Sequence, residues 1–578
     1  MDEVSSPAPM PGLSAPSWLA PAESPRLSLP GWFGMSGTVE QWTWLFVGLG
    51  IALRLCRFAL PFPLWCDEFQ LADNFLDRDY RGLTEPLNNN QVAPVGFLWA
   101  ELAATGFLGF HEWSLRLFPC LCGLASMLLM RQVARRLLSG VSQVLAVATL
   151  AVAYYPIRLG AEVKPYAGDL MCALVILACV VEWQRDRGRT LWLWVLTAVI
   201  APILTISFPS VFVGGAASLT LAAIFAADWR LGKLPARRIV IPFVVYNLLL
   251  VGVFGAIVWM NAAQQYRATA NDMVRCWADS FPPVSSPPAL ALWLLDAHTG
   301  VIFAYPIGAE NGGSGFTALG CLVGVVCLYR RGPRWLLISG GAAFALTLLA
   351  AALHRYPYGG HARLAQHLAP FIILAFAAGG GALIESMKSL EWRRHAWRLA
   401  CAACLLLALG TTVRDLAAPY KTPADLVHQG FARWFWGSAE TVPTVCVEDD
   451  LGLRLYGHSL RTPYRCYRRI LQKSPLTPEK AREVVRRGDS PVRCVLFHSD
   501  SAPRDEAAFS QWMEEMETRY TVARRNQYQV ELADPGHPAA AFRRLCYDVY
   551  EFVPRSYDPS QTPSEVPLAG AESESSRR

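Results

Sequence analysis

Asp67 and Glu68 stand side by side where the chain leaves its first apolar segment, in Pro61-Phe-Pro-Leu-Trp-Cys-Asp-Glu-Phe-Gln70. A carboxylate in hydrogen-bond reach of a hydroxyl or amine can take its proton during attack, a contribution of ~10² to 10⁴ in rate. Placed at the edge of an apolar helix, such a pair suits deprotonation of an acceptor presented beside a lipid surface. Asp73 and Gln91 follow in the same loop. Two later stretches hold the remaining candidates. Tyr155-Pro-Ile-Arg-Leu-Gly-Ala-Glu-Val-Lys-Pro-Tyr166 contributes Glu162, Lys164 and Tyr166, and the stretch from Arg355 through Tyr356-Pro-Tyr-Gly-Gly-His-Ala-Arg363 contributes Arg355, Tyr356, Tyr358 and Arg363. Lysine and arginine in these stretches suit contact with an anionic group.

These residues must be positioned by membrane helices. The 578 residues are 53% hydrophobic and only 17% charged, too apolar for an ordinary soluble protein and too long for a single span. The fold expected is mainly α, a polytopic helical bundle. A span requires about 20 apolar residues. Eleven segments are candidates, several of them shorter than that: 41–60, 114–134, 142–159, 166–183, 191–206, 208–228, 239–260, 315–330, 335–353, 364–384 and 398–413. The run from Leu191 to Asp228 would be about 57 Å long as one helix, so it must turn, and Ser207-Phe-Pro-Ser210 is the place.

Charge orients the bundle. The net charge of +6 is not gathered into a nucleic-acid-binding patch. With the N-terminus inside, the inner loops at 131–136, 185–189, 230–238, 330–334 and 388–398 carry 17 Lys and Arg, against four, Arg158, Lys164, Arg355 and Arg363, in the short outer loops. The catalytic candidates then share the outer face. Residues 1–40, rich in Pro and Ser and without a basic signal-peptide region, read as a disordered cytoplasmic tail. Residues 41–413 form the membrane module, with 61–113 as its first outer loop. Residues 414–554 read as a small extracytoplasmic α/β domain, with strands at 444–448, 492–497, 528–532 and 547–553 and helices at 477–487 and 505–518. Residues 555–578 read as a disordered tail. Cys446, Cys466, Cys494 and Cys546 could form disulfides there, in a pairing left open.

The ordered set of loop motifs resembles C-type (GT-C) glycosyltransferases, in particular the protein O-mannosyltransferase and lipid A aminoarabinose transferase branch. An Asp-Glu pair follows the first span, and Leu-Arg-Leu-Phe-Pro (Leu115 to Pro119) opens the second. A Glu-x-Lys-x-Tyr element (Glu162, Lys164, Tyr166) follows the third, and an aromatic, Gly and Arg loop (Tyr356 to Arg363, then Pro370) introduces a late span. The match covers roughly residues 41 to 384. One departure is Gln91-Val-Ala-Pro94, where many relatives carry His-Pro-Pro. The resemblance implies an integral, multi-pass enzyme of a bacterial inner membrane with its active site facing outward. It would transfer a hexosyl or pentosyl group from a polyprenyl-phosphate donor to a protein, lipid or glycan acceptor. Asp67 and Glu68 would be catalytic. Lys164, Arg363, Arg355, Tyr166, Tyr356 and Tyr358 would hold the donor, and Glu162, Gln91 and Asp73 the acceptor or sugar. A divalent cation is compatible with this chemistry, and its ligands are unknown.

Other signals weigh less. Asp77-Arg-Asp79 spells the Asp-x-Asp of nucleotide-sugar enzymes, but those sugars are cytoplasmic and this loop is outside. His354, His361 and His367 lack zinc-like spacing and read as loop and helix-end residues. Gly379 to Gly381 suggests close helix packing, and Arg54 and Arg57 read as snorkelling outward or facing the donor headgroup. The competing reading is a lipid or glycan transporter or flippase. Transporters place ionisable residues and broken helices near the bilayer midplane. Most spans here lack such residues at their centres, which favours the enzyme.

Overall fold

Thr38 opens the first apolar helix, Val39–Ala59, with a capping box: its hydroxyl accepts from the Gln41 N–H at 3.3 Å, and Gln41 Oε1 accepts from the Thr38 N–H at 2.8 Å. The computed structural model describes residues 38–232, 237–259, 277–307, 313–437, 442–453, 455, 464–470, 478–499, 505–531 and 544–556. The tails expected to be disordered lie outside the described residues, apart from 38–40 and 555–556. The chain divides into two compact units, Met1–Lys421 and Thr422–Arg578.

The first unit is a helical bundle. Among the described residues, eight helices are long and apolar enough to cross a membrane: Val39–Ala59, Leu117–Leu137, Tyr166–Arg185, Ser210–Arg230, Arg237–Ile257, Arg334–Ala352, Ala362–Ser386 and Leu390–Ala417. Val95–Leu108, Gly140–Val152 and Leu191–Ile206 are apolar but shorter. The span expected at 142–159 is broken at Ala153, where extended backbone separates Gly140–Val152 from Tyr154–Leu159. The turn after Leu191–Ile206 falls at Ser207–Pro209, as expected, and Ser210 begins the next helix.

Small residues let these helices approach closely. A Cβ on Gly324 would collide with Ala375 O, and one on Gly379 with Gly320 O, so Gly313–Arg331 and Ala369–Ser386 touch backbone to backbone.

Arg54 and Arg57 correct the sequence reading, because neither snorkels. Arg54 is buried, donating to Gly50 O at 2.9 Å and across the interface to Leu150 O at 3.0 Å. The break after Val152 makes those late carbonyls available, so the guanidinium is solvated by backbone. Arg57 pairs with Asp415 at 2.7 Å and donates to Pro419 O at 2.8 Å, which ties the end of Leu390–Ala417 to the first helix.

The second unit carries a four-stranded sheet, β1 (Thr444–Cys446), β2 (Val492–Ser499), β3 (Tyr520–Glu531) and β4 (Arg544–Pro554), in the order β1-β2-β4-β3. β1 runs parallel to β2, and the other pairings are antiparallel. Val445, Val492, Leu496 and Phe552 form its core with Trp512 and Met516 from the helix Glu506–Glu517. β3 starts eight residues earlier than the 528–532 segment read from sequence, because its first half, Tyr520 to Gln527, pairs along β4 despite polar composition. Cys446, Cys466, Cys494 and Cys546 are all buried here.

Candidate active site

Arg116 organises the loop that follows the first helix. Its guanidinium donates to Phe62 O at 2.9 Å and Pro63 O at 3.0 Å, and to both oxygens of Glu68 at 3.3 and 3.2 Å. It also lies 3.8 Å from the centre of the Phe62 ring. Glu68 in turn accepts from the Trp65 N–H at 3.0 Å and from the Val163 N–H at 2.8 Å. The buried pair thus pins the short helix Cys66–Ala72 to the loop carrying Glu162 and Lys164.

The geometry divides the two carboxylates. Glu68 is 1% exposed and saturated by donors, whereas Asp67 keeps 30% of its side chain exposed and among the described residues has one ion pair, with Arg363 Nη1 at 3.4 Å. Asp67 is therefore the carboxylate an incoming group can reach. It lies 296 residues from Arg363, so two separate sequence motifs meet here.

Arg363 is held by a tight turn. Gly359 and Gly360 both adopt positive φ, 81° and 70°, which favours glycine, and a Cβ on Gly360 would collide with Ser280 Oγ. The Tyr358 N–H donates to Ser280 O at 2.9 Å, fastening the turn. His361 caps the short helix Ala362–Leu368 by accepting from the Arg363 N–H at its Nδ1, 3.1 Å away. Burial, reinforced by the charges of Arg363 and Lys421, pushes the His361 pKa down to about 3, so this acceptor is neutral. The Arg363 guanidinium sits 5.3, 5.6 and 5.9 Å from the ring centres of Trp277, Trp65 and Tyr166. Its Nε is buried without a hydrogen-bond partner among the described residues.

Lys164 is buried, and its ammonium donates to Gln91 Oε1 at 2.7 Å, while Gln91 donates to Gln70 Oε1 at 2.8 Å. A neutral amide thus replaces a carboxylate as its partner. Burial lowers the Lys164 pKa, Asp67 opposes that shift and Arg363 reinforces it.

The other expected residues are placed as follows. Glu162 is buried, with Oε1 3.9 Å from Lys421 Nζ and Oε2 without a hydrogen-bond partner among the described residues. Asp73 is buried at the end of Cys66–Ala72. Tyr356 and Tyr358 brace the turn, since the Tyr356 hydroxyl donates to Leu364 O at 2.9 Å and the Tyr358 hydroxyl bonds to His298 Nε2 at 2.9 Å. Arg355 is exposed, and its N–H caps Ala350 O at 2.8 Å. Among the described residues no group of three or more His, Cys, Asp or Glu could hold a metal ion.

Sequence reading missed Trp65, Trp277 and Lys421 as site residues and treated Arg116 only as part of a motif. Trp65 precedes the Asp-Glu pair and could have been noticed. Lys421, alone beyond the last span, carried no local signal.

The chain superimposes on ArnT from Cupriavidus metallidurans bound to undecaprenyl phosphate with a TM-score of 0.51 and 12% identity, over 88% of this chain and 98% of that one. Apo ArnT from the same organism matches with a TM-score of 0.51 and 14% identity, over 88% and 97%. The fold is that of the GT-C glycosyltransferases. An Archaeoglobus fulgidus oligosaccharyltransferase tethered to an acceptor peptide is more distant, with a TM-score of 0.45 and 12% identity over 84% of this chain and 72% of that one. Neither a protein-family model nor a curated protein sequence matches the chain.

Proposed function

We propose that this protein is a membrane glycosyltransferase that moves a sugar from a polyprenyl-phosphate donor to an acceptor at the outer membrane face, with Asp67 as general base. The observation that carries this reading is the convergence of a reachable carboxylate with phosphate-binding groups. Asp67 contacts Arg363 at 3.4 Å, while among the described residues the enclosed Lys164 ammonium has only neutral Gln91 as its hydrogen-bond partner. The GT-C fold, in a relative crystallised with undecaprenyl phosphate, supports the same donor class.

The chemistry follows from charge. As the acceptor oxygen or nitrogen attacks the anomeric carbon, its proton passes to Asp67. The bond from that carbon to the phosphate oxygen breaks, and the departing polyprenyl phosphate gains negative charge. Lys164 and Arg363 face that charge from two loops, where Arg363 can grip two phosphate oxygens at once. Tyr166 and Trp65 offer ring faces to the sugar, and Glu162 with Gln91 offers hydrogen bonds to the sugar or acceptor. Glu68 acts by holding the loop. The positive-inside distribution supports an outward-facing site.

The test is sugar transfer by purified protein from a polyprenyl-phosphate sugar to protein, lipid and glycan acceptors, with and without a chelator. Release of polyprenyl phosphate coupled to glycosylated acceptor supports the reading. Movement of the donor across sealed vesicles without transfer would establish the transporter instead.

A further inference from the structure

Lys421 is the last residue of the first unit, beyond the helix Leu390–Ala417 and outside every motif that suggested the site. Its ammonium lies 3.3 Å from the centre of the Trp65 ring, the ring that the Arg363 guanidinium approaches at 5.6 Å. Two cations from distant segments thus share one aromatic residue at the foot of the Asp67 helix.

The partners of Lys421 leave its donors unspent. Glu162 Oε1, at 3.9 Å, is beyond hydrogen-bond range, and among the described residues the ammonium donates no hydrogen bond. Lys421 keeps 31% of its side chain exposed, so a ligand at the membrane surface can reach it. Burial lowers its pKa, Glu162 opposes the shift, and the neighbouring Arg363 lowers it further. The positive charges of Lys421 and Arg363 oppose one another and are offset by Glu162, Glu68 and Asp67, and an anion bound between the two cations would be attracted by both. Arg363 Nε, buried and without a partner, is a further unspent donor in the same place.

We propose that Lys421 is a further donor-binding residue, which is steadied over the face of Trp65 and with Arg363 and Lys164 holds the phosphate of the polyprenyl donor. This rests on the polyprenyl-phosphate reading above and extends it to the connection that follows the last membrane helix. The tie of Arg57 to Asp415 and Pro419 O fixes where that connection begins and so delivers Lys421 to the site. The Glu162 contact is then the resting arrangement, and the phosphate takes the ammonium's hydrogens when it binds.

The experiment uses full-length protein in nanodiscs titrated with sugar-free polyprenyl phosphate, with inorganic phosphate as a second arm. The variants are Lys421→Ala, Lys421→Met, Lys421→Arg, Glu162→Gln and the Glu162→Gln/Lys421→Ala double variant. Thermal unfolding of each checks folding. A charge-assisted contact at a partly exposed lysine predicts about tenfold weaker polyprenyl-phosphate binding in Lys421→Ala and Lys421→Met, with KM for the donor rising in step and kcat little changed. Lys421→Arg should stay within about threefold of wild type. Glu162→Gln alone should bind as well as wild type or better, because it removes the competing carboxylate. Equal losses in Glu162→Gln and Lys421→Ala, with none added in the double variant, would show that Lys421 only holds Glu162, and would overturn the proposal. Unchanged binding in folded Lys421→Ala and Lys421→Met would also overturn it, while leaving the donor reading intact. If wild type binds no polyprenyl phosphate, or binds inorganic phosphate equally well, the donor reading itself fails.

Discussion

Replacing each carboxylate of the Asp67-Glu68 pair by its amide separates catalysis from architecture. Asp67→Asn preserves shape and removes the proton acceptor. Its ion pair with Arg363, 3.4 Å long with 30% of the Asp67 side chain exposed, is worth about 0–1 kcal/mol to stability. Loss of a general base should lower turnover by ~10² or more, about 2.7 kcal/mol of transition-state stabilisation. Glu68→Gln acts in the opposite sense. It leaves Arg116, 2% exposed, buried without its counter-charge, and breaking a buried pair costs about 3–5 kcal/mol, a large part of a typical stability of about 5–15 kcal/mol. The assay pairs single-turnover sugar transfer with thermal unfolding in the same detergent. The expected result is a stable, nearly inactive Asp67→Asn and a clearly destabilised Glu68→Gln. An Asp67→Asn protein that is folded and turns over at a near-normal rate would refute the assignment, and an unchanged melting temperature in Glu68→Gln would refute the structural role of the Arg116 pair.

Further outcomes are expected. Arg363→Ala should weaken donor binding more than Lys164→Ala, and Arg363→Lys should rescue it only in part, because lysine cannot reproduce the planar fork; donor titrations of the three variants check this. Lys164 has a pKa lowered by burial, so its charge and the donor affinity should be lost as pH rises through that value, below the ~10.4 of an ordinary lysine. Between those two values the unfolded chain binds more protons, so this lysine's contribution to stability grows as pH rises and is lost as pH falls; dissociation constants and melting curves against pH should lose this component in Lys164→Gln. Gly379→Ala should destabilise the bundle by about 1–3 kcal/mol, read from thermal unfolding, because its methyl group meets the Gly320 carbonyl. Reporter fusions after residues 138, 188 and 234 should report the cytoplasm and a fusion after 420 the outside; a cytoplasmic signal at 420 would refute the odd number of spans.

Hydropathy and helix length are local properties, so the polytopic class, the turn at Ser207–Pro209 and the α/β character of the C-terminal unit were legible in the sequence. Glycines spaced for close packing were legible for the same reason, because the absence of a side chain is itself a local fact. The candidate site was legible as three loops carrying the right residue types, yet their sharing one site rested on inferred sidedness. Only tertiary structure joined Asp67 to Arg363 and separated the reachable carboxylate from the one locked to Arg116. Composition cannot make that distinction, since two neighbouring carboxylates differ only in what the fold packs around them. Arg54 shows the same limit, because its burial depends on carbonyls released by a helix break nearly a hundred residues away. Lys421 is the extreme case. Nothing within its own segment marks it, and only the fold brings its ammonium to 3.3 Å from the Trp65 ring, a relation that exists in space and not along the chain.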